Sequence, residues 1–166
     1  MKTATGYILL TAAALWMATV PVMAQSTATA NVTVNATVAA TAKLTLSANT
    51  VSFADADPDT TPNIAAAAIT VGAKAKTTGS GAVTLAVQAG GPLTSGSDTI
   101  AASNLTWTTT GAGFVAGTMS SAAAQSLGAW TGPGNNSGTQ TYSFANSWSY
   151  ATGNYAMTVT YTLTAP

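Results

Sequence analysis

The chain has 166 residues, and its charged groups are four lysines and four aspartates. It has no histidine, cysteine, arginine or glutamate, which excludes the usual zinc sites, thiol nucleophiles and Ser-His-Asp triads as well as disulfides. So few lysines cannot form the basic stripe that nucleic-acid binding needs, and so few titratable groups indicate that the protein is not an enzyme.

The first residues have the pattern of a secretory signal. Lys2 precedes an apolar stretch from Tyr7 to Val20, and Val22-Met23-Ala24 forms a small-x-small cleavage site. We therefore expect residues 1–24 to be a signal peptide, which leaves 142 residues after cleavage. That length predicts one domain over 25–166. The protein is then exported, to the cell surface or beyond, and no integral membrane segment remains after cleavage.

An alternating segment opens the mature chain. Every even position from Ala28 to Leu46 is apolar, and the odd positions are mostly Thr and Asn, which is the two-residue period of a strand with one dry face. Fully extended, this segment would span about 60 Å, which exceeds an ordinary strand. We expect a break at Ala39-Ala40, so that residues 25–38 form a separable strand. Its apolar face would be an assembly surface made of Val32, Val34, Ala36 and Val38.

Three alternating aspartates follow in the segment Asp55-Ala-Asp57-Pro-Asp59. Carboxylates at this spacing can direct oxygens at Ca²⁺, which prefers about six to eight hard ligands. The EF-hand pattern fails, because the sixth position is not glycine and Ala66 stands where the closing glutamate would be. A solvated acidic turn is the favoured interpretation, with Ca²⁺ as the alternative. No other cofactor is expected.

The remainder alternates in short runs separated by glycine-rich turns. Strands are expected around Val51 and Phe53, over 65–71, 82–88 and 139–145, at Leu105 and Trp107, and over 155–163. The Ala-rich stretches 65–68 and 121–125 are alternatives for single helical turns, and 132–138 is expected to be a flexible loop. These runs predict an all-β fold, an antiparallel immunoglobulin-like β-sandwich with an extended N-terminal strand.

The aromatic residues mostly follow the alternation of their strands, which favours a place in the core. Trp130 is the exception, because it stands next to the glycine-rich stretch 132–138. An exposed tryptophan could stack on a sugar ring, so Trp130 is a candidate glycan contact.

Both ends of the mature chain resemble known surface proteins. The opening NVTVNATVAATAKLTLSANTVSF resembles the spore-coat-U-like pilin domains of bacterial chaperone–usher systems. The ending GNYAMTVTYTLTAP resembles the closing strand of the same family, and it is also similar to the end of the WxL surface domains of Gram-positive bacteria.

The resemblance implies a structural subunit of a pilus, fimbria or surface coat that assembles by β-strand addition. Its partners would be copies of itself or homologous subunits, together with a periplasmic chaperone and an usher. The alternative is a secreted cell-surface or polysaccharide-binding β-sandwich module.

Overall fold

The computed structural model describes residues 26–166, and the predicted signal peptide lies outside them. The chain divides into two units, one ending at Asn35 and one spanning Ala36–Pro166. Within the described residues, all regular structure belongs to the second unit. A single 3-10 turn covers Ala102–Asn104. The strands are β1 (Thr41–Leu46), β2 (Asn63–Ala65), β3 (Ile69–Lys76), β4 (Ala82–Ala89), β5 (Leu93–Ser95), β6 (Asp98–Ile100), β7 (Leu105–Thr110), β8 (Gly117–Thr118), β9 (Gln125–Thr131), β10 (Gly134–Ala145) and β11 (Val159–Thr164).

The strands form two main sheets and a hairpin. The larger sheet has the order β1-β3-β10-β7-β8. The last residues of β10 extend past Ile69, the first residue of β3, and pair there with β2. The smaller sheet has the order β11-β4-β9, and β5 pairs with β6. Every one of these strand pairs is antiparallel. The prediction of an all-β antiparallel fold is confirmed.

One hydrophobic core receives side chains from both sheets. Alternate residues of β3 and β4 are buried, as the two-residue period of a strand with one dry face requires. Val71 on β3 and Leu85 on β4 are fully buried and belong to the same cluster. Other members from the two sheets are Ile69, Val87, Leu105, Trp107, Leu127 and Tyr142.

The segment between β7 and β9 joins the two sheets along one side. Its first part bonds to β9, where the Val115 amide donates to the Leu127 carbonyl at 2.9 Å and the Ala129 amide donates to the Gly113 carbonyl at 3.0 Å. Its last part is β8, which pairs with β7 through Thr118 opposite Thr106. The backbone hydrogen bonds therefore continue from one sheet to the other on this side.

The long alternating strand expected over 28–46 is only partly observed. Residues 26–40 form no helix or strand, and β1 begins at Thr41. The reason lies in the partner strand, because Thr41 is opposite Lys76, the last residue of β3. Because β3 ends at Lys76, it offers no further residue with which the described residues before Thr41 could pair. Alternation alone therefore does not make these residues a strand.

The expectation of a flexible loop over 132–138 is wrong. Gly134–Gly138 is the first part of β10 and pairs residue by residue with β3, with Gly138 opposite Val71. Gly138 is buried, and a Cβ at this position would lie 2.2 Å from the Thr110 carbonyl oxygen. Glycine here permits a close approach between β10 and its neighbour rather than flexibility.

Other expectations need smaller corrections. No helix covers 65–68 or 121–125, and no strand covers Val51 and Phe53, which are half-buried against the core. The last strand is shorter than expected, since β11 begins at Val159. The sequence does not predict β9. Its pairing with β4 shifts register, since Leu85 is opposite Gly128 while Ala86 is opposite Ser126, and this irregularity breaks the apolar alternation of β9.

Candidate assembly surfaces

The apolar residues of the N-terminal segment are exposed. Val32, Val34 and Val38 expose 86%, 87% and 75% of their surface, and Ala36 is exposed as well. Branched apolar side chains normally lie in a core, and three in one alternating register are unusual at a protein surface. Whether residues 25–38 act as a separable strand stays a prediction, and these side chains are available for such a role.

The side opposite the β7–β9 crossing is open. There β1 and β11 are the terminal strands of their sheets, and within the described part of the chain each pairs with a neighbouring strand along one edge alone. The two strands approach each other, yet within residues 26–166 no backbone hydrogen bond joins them. Each strand therefore presents unpaired amides and carbonyls, which are a template for pairing with another strand.

Apolar side chains along this open side are incompletely covered. Leu44 on β1 and Val159, Tyr161 and Leu163 on β11 pack against the core but stay half-exposed. Equivalent inward positions on the central strands β3 and β4 are fully buried. We call the surface formed by β1, β11 and these side chains the open seam. One further strand along it would cover the exposed apolar surface.

A polar link crosses the core next to the open seam. Tyr161 on β11 donates its hydroxyl proton to Gln140 Oε1 on β10 at 2.7 Å, and the Tyr142 hydroxyl lies 2.7 Å from the Tyr161 hydroxyl. Burial raises the pKa of both tyrosines above the ordinary value of 10.0. Gln140 is completely buried, and among the described residues its Nε2 has no hydrogen-bond partner.

The three clustered aspartates lie in the connection between β1 and β2. Asp57 Oδ1 accepts the Asp59 amide at 2.9 Å, and Asp59 Oδ1 accepts the Trp148 indole N–H at 3.1 Å. Asn146, which follows β10, holds this connection by donating to the Ala56 carbonyl at 2.8 Å. Across residues 26–166, no group of three or more acidic side chains converges as metal ligands would. The Asp57 carboxylate instead accepts a hydrogen bond within the loop, and the Asp59 carboxylate accepts one from Trp148 in the turn after β10.

Trp130 does not occupy the exposed position that a glycan contact needs. Its indole N–H donates to the Ala112 carbonyl at 2.9 Å, and its ring meets Phe114 edge to face at 5.0 Å between centroids. The side chain is half-buried and packs against the core. Trp130 was proposed because 132–138 was expected to be a loop, and the strand found there removes that reason.

Trp148 is the exposed tryptophan of the described chain. It exposes 70% of its surface in the turn that follows β10, while its indole N–H is held by Asp59. Trp148 shares the two-residue phase of Tyr142 and Phe144, which favours a place in the core, but β10 ends at Ala145. The sequence alone does not indicate its exposure, because β10 ends at Ala145 opposite Asn63, the residue at which its partner β2 begins.

A scan of protein-family models finds no match to this chain, and no curated protein is significantly similar to it in sequence. Among residues 26–166 there is also no helix with the length and apolar character to cross a membrane.

Proposed function

We propose that the mature protein is a non-enzymatic structural subunit of a pilus, fimbria or surface coat, exported to the cell surface and assembled by β-strand addition. The separable strand predicted over residues 25–38 of one copy would pair with the open seam of the next. In this proposal the two main sheets form an immunoglobulin-like sandwich that an added strand completes. A periplasmic chaperone and an usher would serve as assembly partners.

One observation carries the proposal: the chain has both an open sheet edge with exposed apolar side chains and an N-terminal segment whose alternating apolar residues could cover it. The open seam has unpaired strand edges on β1 and β11 and half-exposed apolar side chains between them. The N-terminal segment has exposed Val32, Val34 and Val38 at a two-residue period. Strand addition satisfies both, because main-chain hydrogen bonds pair the edge while alternate side chains enter the apolar surface.

The test compares two substitutions in adjacent positions of the mature protein. Val34→Asp places a charge in the apolar register and should abolish assembly, which is measured by sedimentation velocity and electron microscopy of negatively stained samples. Thr33→Asp places the same charge in the polar register and should assemble normally. Equal behaviour of the two variants would contradict strand addition, because only one register is buried in that arrangement.

A second candidate function, a polysaccharide-binding module, is supported by Trp148. Its indole ring is exposed, and the Asp59 carboxylate both fixes the ring and offers a hydrogen-bond acceptor next to it. An aromatic face beside a carboxylate is suited to stacking and hydrogen bonding with a sugar ring.

Retention of the mature protein on insoluble cellulose, chitin and peptidoglycan tests this candidate. Trp148→Ala should lose retention on whichever matrix holds the wild type. Trp130→Ala is the matched control and should keep it, although the loss of the Phe114 contact should lower its stability. Failure of the wild type to bind all three matrices would remove the candidate.

A further inference from the structure

The lysines of the described chain lie together at one end of the larger sheet. Lys43 on β1 is directly opposite Lys74 on β3, and Lys76 follows two residues later on the same face. All three side chains are exposed. Lys74 is also opposite Asn135, near the beginning of β10. We call Lys43, Lys74 and Lys76 the lysine end. Pro166 lies nearby, because its carbonyl oxygen accepts a hydrogen bond from the Thr77 hydroxyl. One negative charge at Pro166 would still leave the three lysines with a net positive charge.

The aspartates lie at the other end. Asp55, Asp57 and Asp59 belong to the connection that Asn146 holds just after the last residue of β10. This group and Asp98 are called the aspartate end.

The position of Asp98 follows from the strand ladder. Its hairpin, β5–β6, follows Ala89 at the end of β4, and the Ala89 amide bonds to the Ser120 carbonyl. The residue before Ser120, Met119, donates its amide to the Leu105 carbonyl, and Leu105 is opposite Phe144 near the end of β10. Asp98 therefore lies at the same end of the larger sheet as the loop held by Asn146.

The length of β10 separates the two charged ends. Asn135 beside the lysine end and Ala145 beside β2 are ten residues apart, or roughly 33 Å along a strand. Charges at this separation are screened from each other, because the Debye length is about 8 Å at physiological ionic strength. Accordingly, none of the described lysines forms a hydrogen bond or ion pair with an aspartate. Among residues 26–166, neither end is neutralised by the other.

The lysine end also contains an unfavourable contact. Lys43 and Lys74 face each other directly across two antiparallel strands, and like charges in this position destabilise a sheet. An acidic surface placed on these side chains would remove the repulsion. The chain has only four acidic residues, Asp55, Asp57, Asp59 and Asp98. The acidic surface that this chain itself can supply is therefore the aspartate end of another copy.

We propose that the lysine end of one copy binds the aspartate end of the next, so that subunits associate head to tail along the direction of β10. This inference rests on the proposed self-association and adds its direction and polarity. A head-to-tail contact uses two different surfaces, so it repeats without closing and generates a filament. Opposite charges at the two surfaces favour this order over head-to-head contacts, in which like charges would meet.

Charge inversion at each end tests the proposal. The lysine-inverted variant carries Lys43→Glu, Lys74→Glu and Lys76→Glu, and the aspartate-inverted variant carries Asp55→Lys, Asp59→Lys and Asp98→Lys. All six positions are exposed, and Asp57 is kept because it accepts the Asp59 amide. Each variant alone has two ends of the same sign and should sediment as a monomer at low salt. An equimolar mixture should recover association, because each variant supplies the end that the other needs.

Salt provides the second measurement. Association of the wild type should weaken at about 1 M NaCl, where the Debye length is about 3 Å. A mixture that stays monomeric would overturn the proposal. So would a wild type whose association does not change with salt, together with two inverted variants that each associate as the wild type does. Recovery in the mixture also shows that both variants are folded. If instead the lysine end binds an external anionic polymer, the wild type will bind heparin yet fail to associate with itself.

The outcome is separable from that of the proposed strand addition. If Val34→Asp blocks assembly while charge inversion has no effect, strand addition stands and the head-to-tail inference fails. If charge inversion blocks assembly while Val34→Asp has no effect, the head-to-tail inference stands and strand addition fails.

Discussion

The hydroxyl of Tyr161 on β11 donates a 2.7 Å hydrogen bond to Oε1 of Gln140 on β10, and so connects the smaller sheet to the larger one. Gln140 is completely buried, so this bond satisfies an Oε1 atom that water does not reach, and the Tyr142 hydroxyl lies within hydrogen-bond distance of the Tyr161 hydroxyl. The link lies beside the open seam, where no backbone hydrogen bond joins the sheets among the described residues. It therefore stabilises the sheets where the backbone does not.

Removing the Tyr161 hydroxyl should destabilise the subunit. In Tyr161→Phe, Gln140 Oε1 loses the proton it accepts and becomes a second unsatisfied atom on a buried amide. We expect the free energy of unfolding to fall by about 1–3 kcal/mol, measured by urea denaturation of dilute monomer. Tyr155→Phe is the control, because its hydroxyl bonds to the Ala151 carbonyl at an exposed site. An equally large loss in the control would show that the buried link has no special role.

The same link predicts a loss of stability in alkali. Burial raises the pKa of Tyr161 and Tyr142 in the folded state above the ordinary 10.0. The unfolded chain therefore loses these protons first, and above about pH 10 it binds fewer protons than the folded state. Stability is fully present below pH 10 and declines as pH rises from there towards the folded-state pKa. The stability advantage of wild type over Tyr161→Phe should shrink across this window, and a constant difference from about pH 8 to pH 11 would contradict the assignment.

Gly138 offers a test of the strand that replaces the expected loop. A Cβ at this position would lie 2.2 Å from the Thr110 carbonyl oxygen and 2.7 Å from the Phe114 ring. Gly138→Ala should therefore lower the free energy of unfolding by about 1–3 kcal/mol through overpacking. Gly79→Ala is the matched control, because a Cβ there meets nothing within 4 Å. If both variants denature at the same urea concentration as wild type, residues 134–138 are not a packed part of β10.

The sequence predicts strands where apolar and β-branched residues alternate without interruption. Residues 82–88 and the end of the chain have this pattern, and β4 and β11 are found there. It fails where glycine or a register shift interrupts the pattern, as in β9 and the first half of β10. In those segments backbone pairing decides the structure, and the side chains carry little information about it.

Alternation also fails where a partner strand ends. The residues before Thr41 continue the apolar pattern of β1, but β3 ends opposite Thr41. The pattern predicts which side chains share a face and does not predict what covers that face. For the same reason the sequence indicates that Tyr161 points inward but gives no sign that it meets Gln140 from the other sheet. The candidate face Val32, Val34, Ala36 and Val38 was predicted, whereas the open seam was not.

The central claim is that the N-terminal segment assembles subunits and is not part of the folded core. Sedimentation velocity of the mature protein without residues 25–38 tests it most directly. We predict a folded monomer, with the melting temperature of the intact subunit, at concentrations where the intact mature protein assembles. Assembly of the shortened protein to the same extent as the intact one, or its failure to fold, would contradict the claim.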